Sequence, residues 1–168
     1  MQKTNDQIRI LAINPGWRYL GIAVFCGPEL REWRLKIVSA RGFEGKMEKV
    51  KGCLAALIER YHPNILVIKK LHPSRSSANL RAMTAQITSY CRKKRMAVYS
   101  YSIAELEMIL SPTGKINKRQ LAAMVASEYP ALCHELKHEQ RNKNPYFMRL
   151  FEAVALGAVC LKQIGDNH

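Results

Sequence analysis

His134-Glu135-Leu136-Lys137-His138 satisfies H-E-x-x-H. That spacing puts two imidazoles one helical turn apart for zinc, with a carboxylate beside them to activate water. Two features count against a metalloprotease. Lys137 places a charge where such helices are uncharged and partly buried, and a polar run from Glu139 to Asn144 follows. The other groups able to do chemistry are cationic. Lys69, Lys70, His72 and Arg75 form one cluster, Lys115, Lys118 and Arg119 a second, and Arg149 lies apart. With Trp17, Arg18 and Tyr19 they make a set suited to gripping phosphates and stacking on bases. Aspartate is scarce: of 13 acidic residues only Asp6 and Asp166 are Asp, one near each end. No interior Asp is available to ligate a metal, attack as a nucleophile or orient a histidine.

The elements that must hold these groups follow from hydropathy. Ile8 to Ile13 is an apolar run ending at Asn14-Pro15-Gly16, a strand entering a turn. Tyr19 to Phe25 follows at hairpin distance, and Trp33 to Val38 alternates as a third strand with one solvated face. Lys46 to Arg60 sets Met47, Val50, Leu54, Leu57 and Ile58 at helical spacing, with Lys46, Lys49 and Lys51 expected off that stripe. Ile65 to Ile68 is a continuous apolar run, as buried parallel strands show. Ser74 to Ser77 offers cap chemistry for a helix carrying Leu80, Met83, Ile87 and Tyr90, which ends in the basic cluster Arg92 to Arg95. Met96 to Tyr101 reads as a fifth strand and Ile103 to Leu110 as a short helix, followed by the loop Ser111 to Gly114. Asn117 caps a helix closing at Tyr129-Pro130, a polar connector spans His134 to Asn144, and a last helix runs from Pro145 to about Ile164. The order β-β-β-α-β-α-β-α-α-α implies a mixed α/β sheet of five strands, an antiparallel meander plus two parallel strands, with helices on both faces.

At 168 residues a single domain over 1–168 is expected, and an apolar share of 48% suits a globular chain. A net charge of +14 points to a polyanion. The five cysteines are widely spaced without a C-x-x-C pair, which suggests reduced, mostly buried thiols. MQKTNDQ has no apolar signal core, and no run reaches the ~18 apolar residues of a membrane span, so a cytoplasmic protein off the membrane is expected.

The order of elements resembles the ribonuclease-H-like fold, and Ile10 to Phe25 resembles the opening of the RuvC-type Holliday-junction resolvases. Pro15, Gly16 and Gly21 match that family's strand-turn motif, with Asn14 where the family has its first metal-binding Asp. Pro63 to Lys69 resembles the strand that ends in a ligand Glu, with Lys69 at that place. Thr113 to Val125 is similar to a lysine-bearing segment, Lys118 matching its basic residue, and Arg149 to Leu156 resembles the last helix. There Glu152 and Arg149 stand at Asp positions.

The resemblance implies an enzyme that cuts phosphodiesters with two Mg²⁺ ions ~4 Å apart, held by three or four carboxylates. The residues at those positions argue otherwise. Asn14, Lys69 and Glu152 carry 0, +1 and −1, so a site that should be strongly negative is close to neutral, and Mg²⁺ needs charged oxygen ligands. Lys69 either pairs with Glu152, filling the place of a cation, or extends past the strand end to solvent. The expected reading is therefore a catalytically degenerate domain, with no metal and no cofactor. It binds structured or double-stranded nucleic acid, DNA favoured, through Trp17, Arg18, Lys69, Lys70, Arg75, Lys115, Lys118, Arg119 and Arg149. A homodimer or a larger recombination, repair, mobile-element or defence assembly is the expected setting, with Met83, Ile87 and Tyr90 either at a dimer interface or in the core. An active Mg²⁺-dependent nuclease and a protein-interaction scaffold are the alternatives.

Overall fold

Ile10, Leu11, Ala12 and Ile13 are all fully buried, which a strand achieves only when both of its faces are covered. The computed structural model, which describes residues 8–112, 114–141 and 147–166, supplies both covers. Strand β1 (Arg9–Asn14) pairs antiparallel with β2 (Tyr19–Cys26), which pairs antiparallel with β3 (Glu29–Ile37). On its other side β1 pairs parallel with β4 (Ile65–Lys69), and β4 pairs parallel with β5 (Ala97–Tyr101). The sheet order is thus β3-β2-β1-β4-β5, a meander extended by two parallel strands.

Alternation along β1 divides the core in two. Ile10 and Ala12 face a layer made by α3 (Ile103–Leu110), α4 (Lys118–Glu128) and α6 (Met148–Asp166). Leu11 and Ile13 face the opposite layer, made by α1 (Gly42–Tyr61) and α2 (Ala78–Lys93). Three helix starts are capped by side chains: Ser77 accepts from Leu80 N–H, Ser102 from Glu105 N–H, and Asn117 with Gln120 forms a reciprocal capping box. Helix α6 crosses β2, β1 and β4 and is rich in small residues. At Gly157 the close approach is obligatory, because a Cβ there would land inside the Phe25 ring.

Several local expectations are corrected. Strand β3 starts at Glu29, earlier than the alternation from Trp33 implied, because pairing with β2 continues to the Glu29–Cys26 pair. Helix α1 starts at Gly42 rather than Lys46, without a side-chain cap to mark it. Lys46 is not on the solvent face: it is 7% exposed, with Nζ donating to the carbonyls of Trp17 (2.6 Å) and Val38 (3.0 Å). The expected connector after His134 begins as helix α5 (Cys133–Arg141), whose polar sequence hides its one anchoring face. Met83 and Ile87 are fully buried and Tyr90 is half-buried against the same cluster, so these residues form core rather than an exposed dimer face. All five cysteines are free thiols, but only Cys91 and Cys160 are buried. Asp6, Thr113 and the expected helix start at Pro145 lie outside the described residues. Among the described residues no helix is long and apolar enough to cross a membrane.

Candidate functional site

The C-terminal ends of the central parallel strands β1 and β4 meet the first turns of α6. Asn14 closes β1 and is fully buried, Lys69 closes β4, and Glu152 projects from α6 with only 3% exposure. Burying a carboxylate that deeply is costly unless it is paired and hydrogen-bonded. Glu152 is both. Its Oε2 accepts from Asn14 Nδ2 at 2.8 Å and lies 3.3 Å from Lys69 Nζ, while Lys118 Nζ stands 3.9 Å from Oε1. The pairing of Lys69 with Glu152 is therefore present, and the extension of Lys69 to solvent is not. Lys118 reaches the carboxylate from the first residue of α4, two-thirds exposed to solvent.

Two glycines bring α6 this close. Gly21 sits opposite Asn14 in the β1–β2 ladder, and a Cβ on it would collide with the Arg149 backbone carbonyl. That same carbonyl accepts a second hydrogen bond from Asn14 Nδ2 at 3.2 Å. Gly16 leaves the space taken by the Arg149 guanidinium, whose NH1 donates to Pro15 O at 3.4 Å. The Pro15, Gly16 and Gly21 motif thus forms the seat for the first turn of α6. Arg149 is held across the turn after β1.

The donor set does not fit a pair of Mg²⁺ ions. The one carboxylate is already shared by an amide and two ammonium groups, and Lys69 occupies the approach to Oε2 that a metal would take. Asn14 Oδ1 has no hydrogen-bond partner among the described residues, but one neutral carbonyl is a poor substitute for two or three anions. Among the described residues no three His, Cys, Asp or Glu side chains converge.

The cationic candidates divide by position. Lys69, Lys70, Arg75 and Arg149, with Pro15 and Leu71, line a cavity of about 620 Å³ beside Glu152. Lys70 reaches Glu105 at 3.9 Å across its rim, and His72 Nδ1 accepts from Ser74 N–H at 3.2 Å, which shapes the loop after β4. Lys115, Lys118 and Arg119 stand exposed at the start of α4. One backbone N–H there is already used, because Asn117 Oδ1 accepts from Gln120 N–H at 2.8 Å. Arg18 is exposed, whereas Trp17 is half-buried, stacked on Phe43 with 6.3 Å between ring centroids and with Lys46 Nζ 4.7 Å from its ring. Lys46 is the residue the sequence reading missed. Its place four residues before Val50 and eight before Leu54 was the available signal.

The H-E-x-x-H pair is separated from its glutamate. His134 and His138 approach each other on α5, with 3.1 Å between their Nε2 atoms. Glu135 turns to the sheet, where its Oε1 accepts from Trp33 Nε1 at 3.0 Å. The group that would activate water is committed to a tryptophan.

No family model matches the chain. Over 126 residues, covering 70% of this chain and 73% of the relative, it is 25% identical to the crossover junction endodeoxyribonuclease RuvC of Xylella fastidiosa. Its fold is similar to that of T. thermophilus RuvC in complex with Holliday junction substrate, with a TM-score of 0.70 at 14% identity over 95% of this chain and 96% of that one. It is also similar to Fowlpox virus resolvase in complex with Holliday junction DNA, with a TM-score of 0.58 at 14% identity over 94% and 99% of the two chains.

Proposed function

For a chain distantly related to the RuvC-type Holliday-junction resolvases and sharing their ribonuclease-H-like fold, we propose a domain that holds structured or double-stranded nucleic acid without cleaving it. DNA is the favoured ligand. Lys69, Lys70, Arg75, Lys115, Lys118, Arg119 and Arg149 contact the phosphates, with Arg18 beyond the first strand turn. The domain serves as a subunit of a recombination, repair, mobile-element or defence assembly, in dimeric or larger form.

The observation that carries this reading is the Lys69 ammonium 3.3 Å from the buried Glu152 carboxylate. In a two-metal site, divalent ions neutralise clustered carboxylates and polarise the phosphate. Here a fixed cation neutralises the single carboxylate, so the groove keeps positive charge for phosphates but has no group that generates hydroxide. Arg149 supplies a planar donor set for a phosphate, pinned in place by Pro15 O. Fold similarity alone grants no activity, and these residues set the chemistry.

The test is a gel shift with four-way-junction and duplex DNA, followed by incubation with Mg²⁺ or Mn²⁺. Binding should weaken steeply with salt, by roughly one power of the salt concentration per phosphate neutralised, and no strand should be cut. Metal-dependent cutting abolished by Glu152→Gln would show an active nuclease instead. Absence of any shift at low salt would leave the protein-scaffold alternative.

A further inference from the structure

A second set of cations lies at the opposite pole of the sheet. Strands β1, β4 and β5 run parallel, so their N-terminal ends lie away from Asn14, Lys69 and Glu152. At that pole Arg9 begins β1, Arg60 lies in the last turn of α1, Arg92 and Lys93 end α2, and Lys94 and Arg95 form the turn after it. Backbone and side-chain bonds draw these segments together. Arg9 Nε donates to His62 O at 2.7 Å, Asn64 N–H donates to Arg9 O at 3.0 Å, and Ala97 N–H donates to Asn64 O at 3.0 Å. Among the described residues none of the six cations forms a salt bridge with an acid, although Glu59 lies next to Arg60 on α1, Glu32 reaches Tyr61, and Glu29 stands two strands from Arg9. Arg60 and Lys94 lie over the rings of Tyr61 and Tyr90.

Helix dipoles account for part of this charge, since the negative ends of α1 and α2 attract Arg60, Arg92 and Lys93. They do not account for His62 and Arg95. These are the two non-glycine residues with positive φ among those described, at +49° and +63°. Each follows a helix end, where glycine is the favoured residue because a Cβ is strained in that conformation. Each is also followed within one residue by a buried anchor, Pro63 or Met96, that fixes the crossover into the next strand. The same strained device therefore occurs twice, before two paired strands, with an imidazole in one and a guanidinium in the other. Arg92, Lys93, Lys94 and Arg95 are all exposed. With no large apolar side chain exposed among them, the patch lacks the apolar centre a protein interface uses, and its dense like charge suits a repeating phosphate backbone.

We propose that this pole is a second phosphate-contacting surface, so that one copy of the domain holds two duplex segments at opposite ends of its sheet. The inference rests on the nucleic-acid reading of the first groove and adds a second site to it. A five-residue strand such as β4 separates the poles by about 15–20 Å, so two duplexes fit without contact between them.

The experiment is a bridging assay on the full chain. A biotinylated duplex is fixed to beads, protein is added, and retention of a second, fluorescent duplex is measured, alongside gel shift on one duplex. Wild type should retain the second duplex, and retention should fall with salt. Arg92→Glu/Lys93→Glu/Arg95→Glu should keep single-duplex binding within about 3-fold while losing most bridging, by about 10-fold. Arg95→Gly relieves the backbone strain, so it should raise the melting temperature while lowering bridging; it also guards against misfolding as the cause of the loss. Bridging by the triple variant at the wild-type level, as two copies joined through their first grooves would give, overturns the proposal. So does a wild type that binds the first duplex but retains no second, as a pole made for an acidic protein would. Failure to bind even one duplex instead removes the first groove's function, and this inference with it.

Discussion

At Glu152 a single buried carboxylate is shared by one amide and two ammonium groups. In a metal-dependent nuclease, replacing a ligand carboxylate by its amide removes the activity. Here Glu152→Gln removes the only acid among four groups that otherwise carry two ammonium charges. DNA affinity should therefore rise, by roughly 3-fold from one fewer negative charge in the groove. The fold should lose about 1–2 kcal/mol as the pairing with Lys69 and Asn14 weakens, as measured by gel shift and urea titration. Reversing the substitutions should have the opposite character. Asn14→Asp/Lys69→Glu places three carboxylates around one point, where they repel each other without a counter-ion. That variant should melt lower than wild type, and Mg²⁺ should restore several degrees to it while leaving wild type unmoved. A Mg²⁺-dependent shift of the same size in wild type would sink the degenerate-site reading.

At the level of elements, geometry depends on how closely α6 lies against β1 and β2. Gly21 permits that approach. Gly21→Ala should cost about 2–3 kcal/mol in chemical denaturation, because its Cβ meets a backbone carbonyl that cannot rotate away. Duplex binding should weaken as well, since Arg149 moves with the helix. Lys46 does comparable work on the other face by tying α1 to the turn after β1 and to Val38. Lys46→Met should therefore destabilise by about 1–3 kcal/mol, leaving two carbonyls unpaired. The sequence places nearly every element, because apolar periodicity and cap residues act within a few positions of one another. It fails at α5, whose polar composition resembles a connector and whose tie to the sheet, Trp33 to Glu135, spans 102 positions. It also fails at Lys46, where residue type suggested solvent although spacing suggested core.

At the scale of the whole molecule, basic residues stand at both poles of the sheet within a net charge of +14. Stability should fall in alkali. Burial pushes the thiols of Cys91 up to about 11 and Cys160 to about 12, and the phenol of Tyr129 to about 12. Each is raised in the folded state, so its contribution is complete below the unfolded pKa, near 9 for the thiols and 10 for the phenol. It is then lost as pH climbs towards 11–12. Urea midpoints should accordingly hold up to about pH 9 and decline above it. A midpoint that stayed constant to pH 11 would show that these groups are not shielded from water.

The sequence by itself determined the order of the strands and of every helix but α5, the net charge of +14, and the residue types at the strand ends, Asn14 and Lys69 among them. These are short-range properties, readable from alternation, turn chemistry and composition. It also allowed the Lys69–Glu152 pair as one of two arrangements. Only the tertiary structure decided between them, because Asn14 and Glu152 are 138 positions apart and Lys69 and Glu152 are 83 apart. Their meeting depends on a helix seated against glycine-bearing strands. The same holds for Lys118 joining the carboxylate, for Lys46 turning inward and for Glu135 binding a tryptophan. A side chain's partner in a buried site is set by which backbones pack closely enough to share it, and no local pattern encodes that distance.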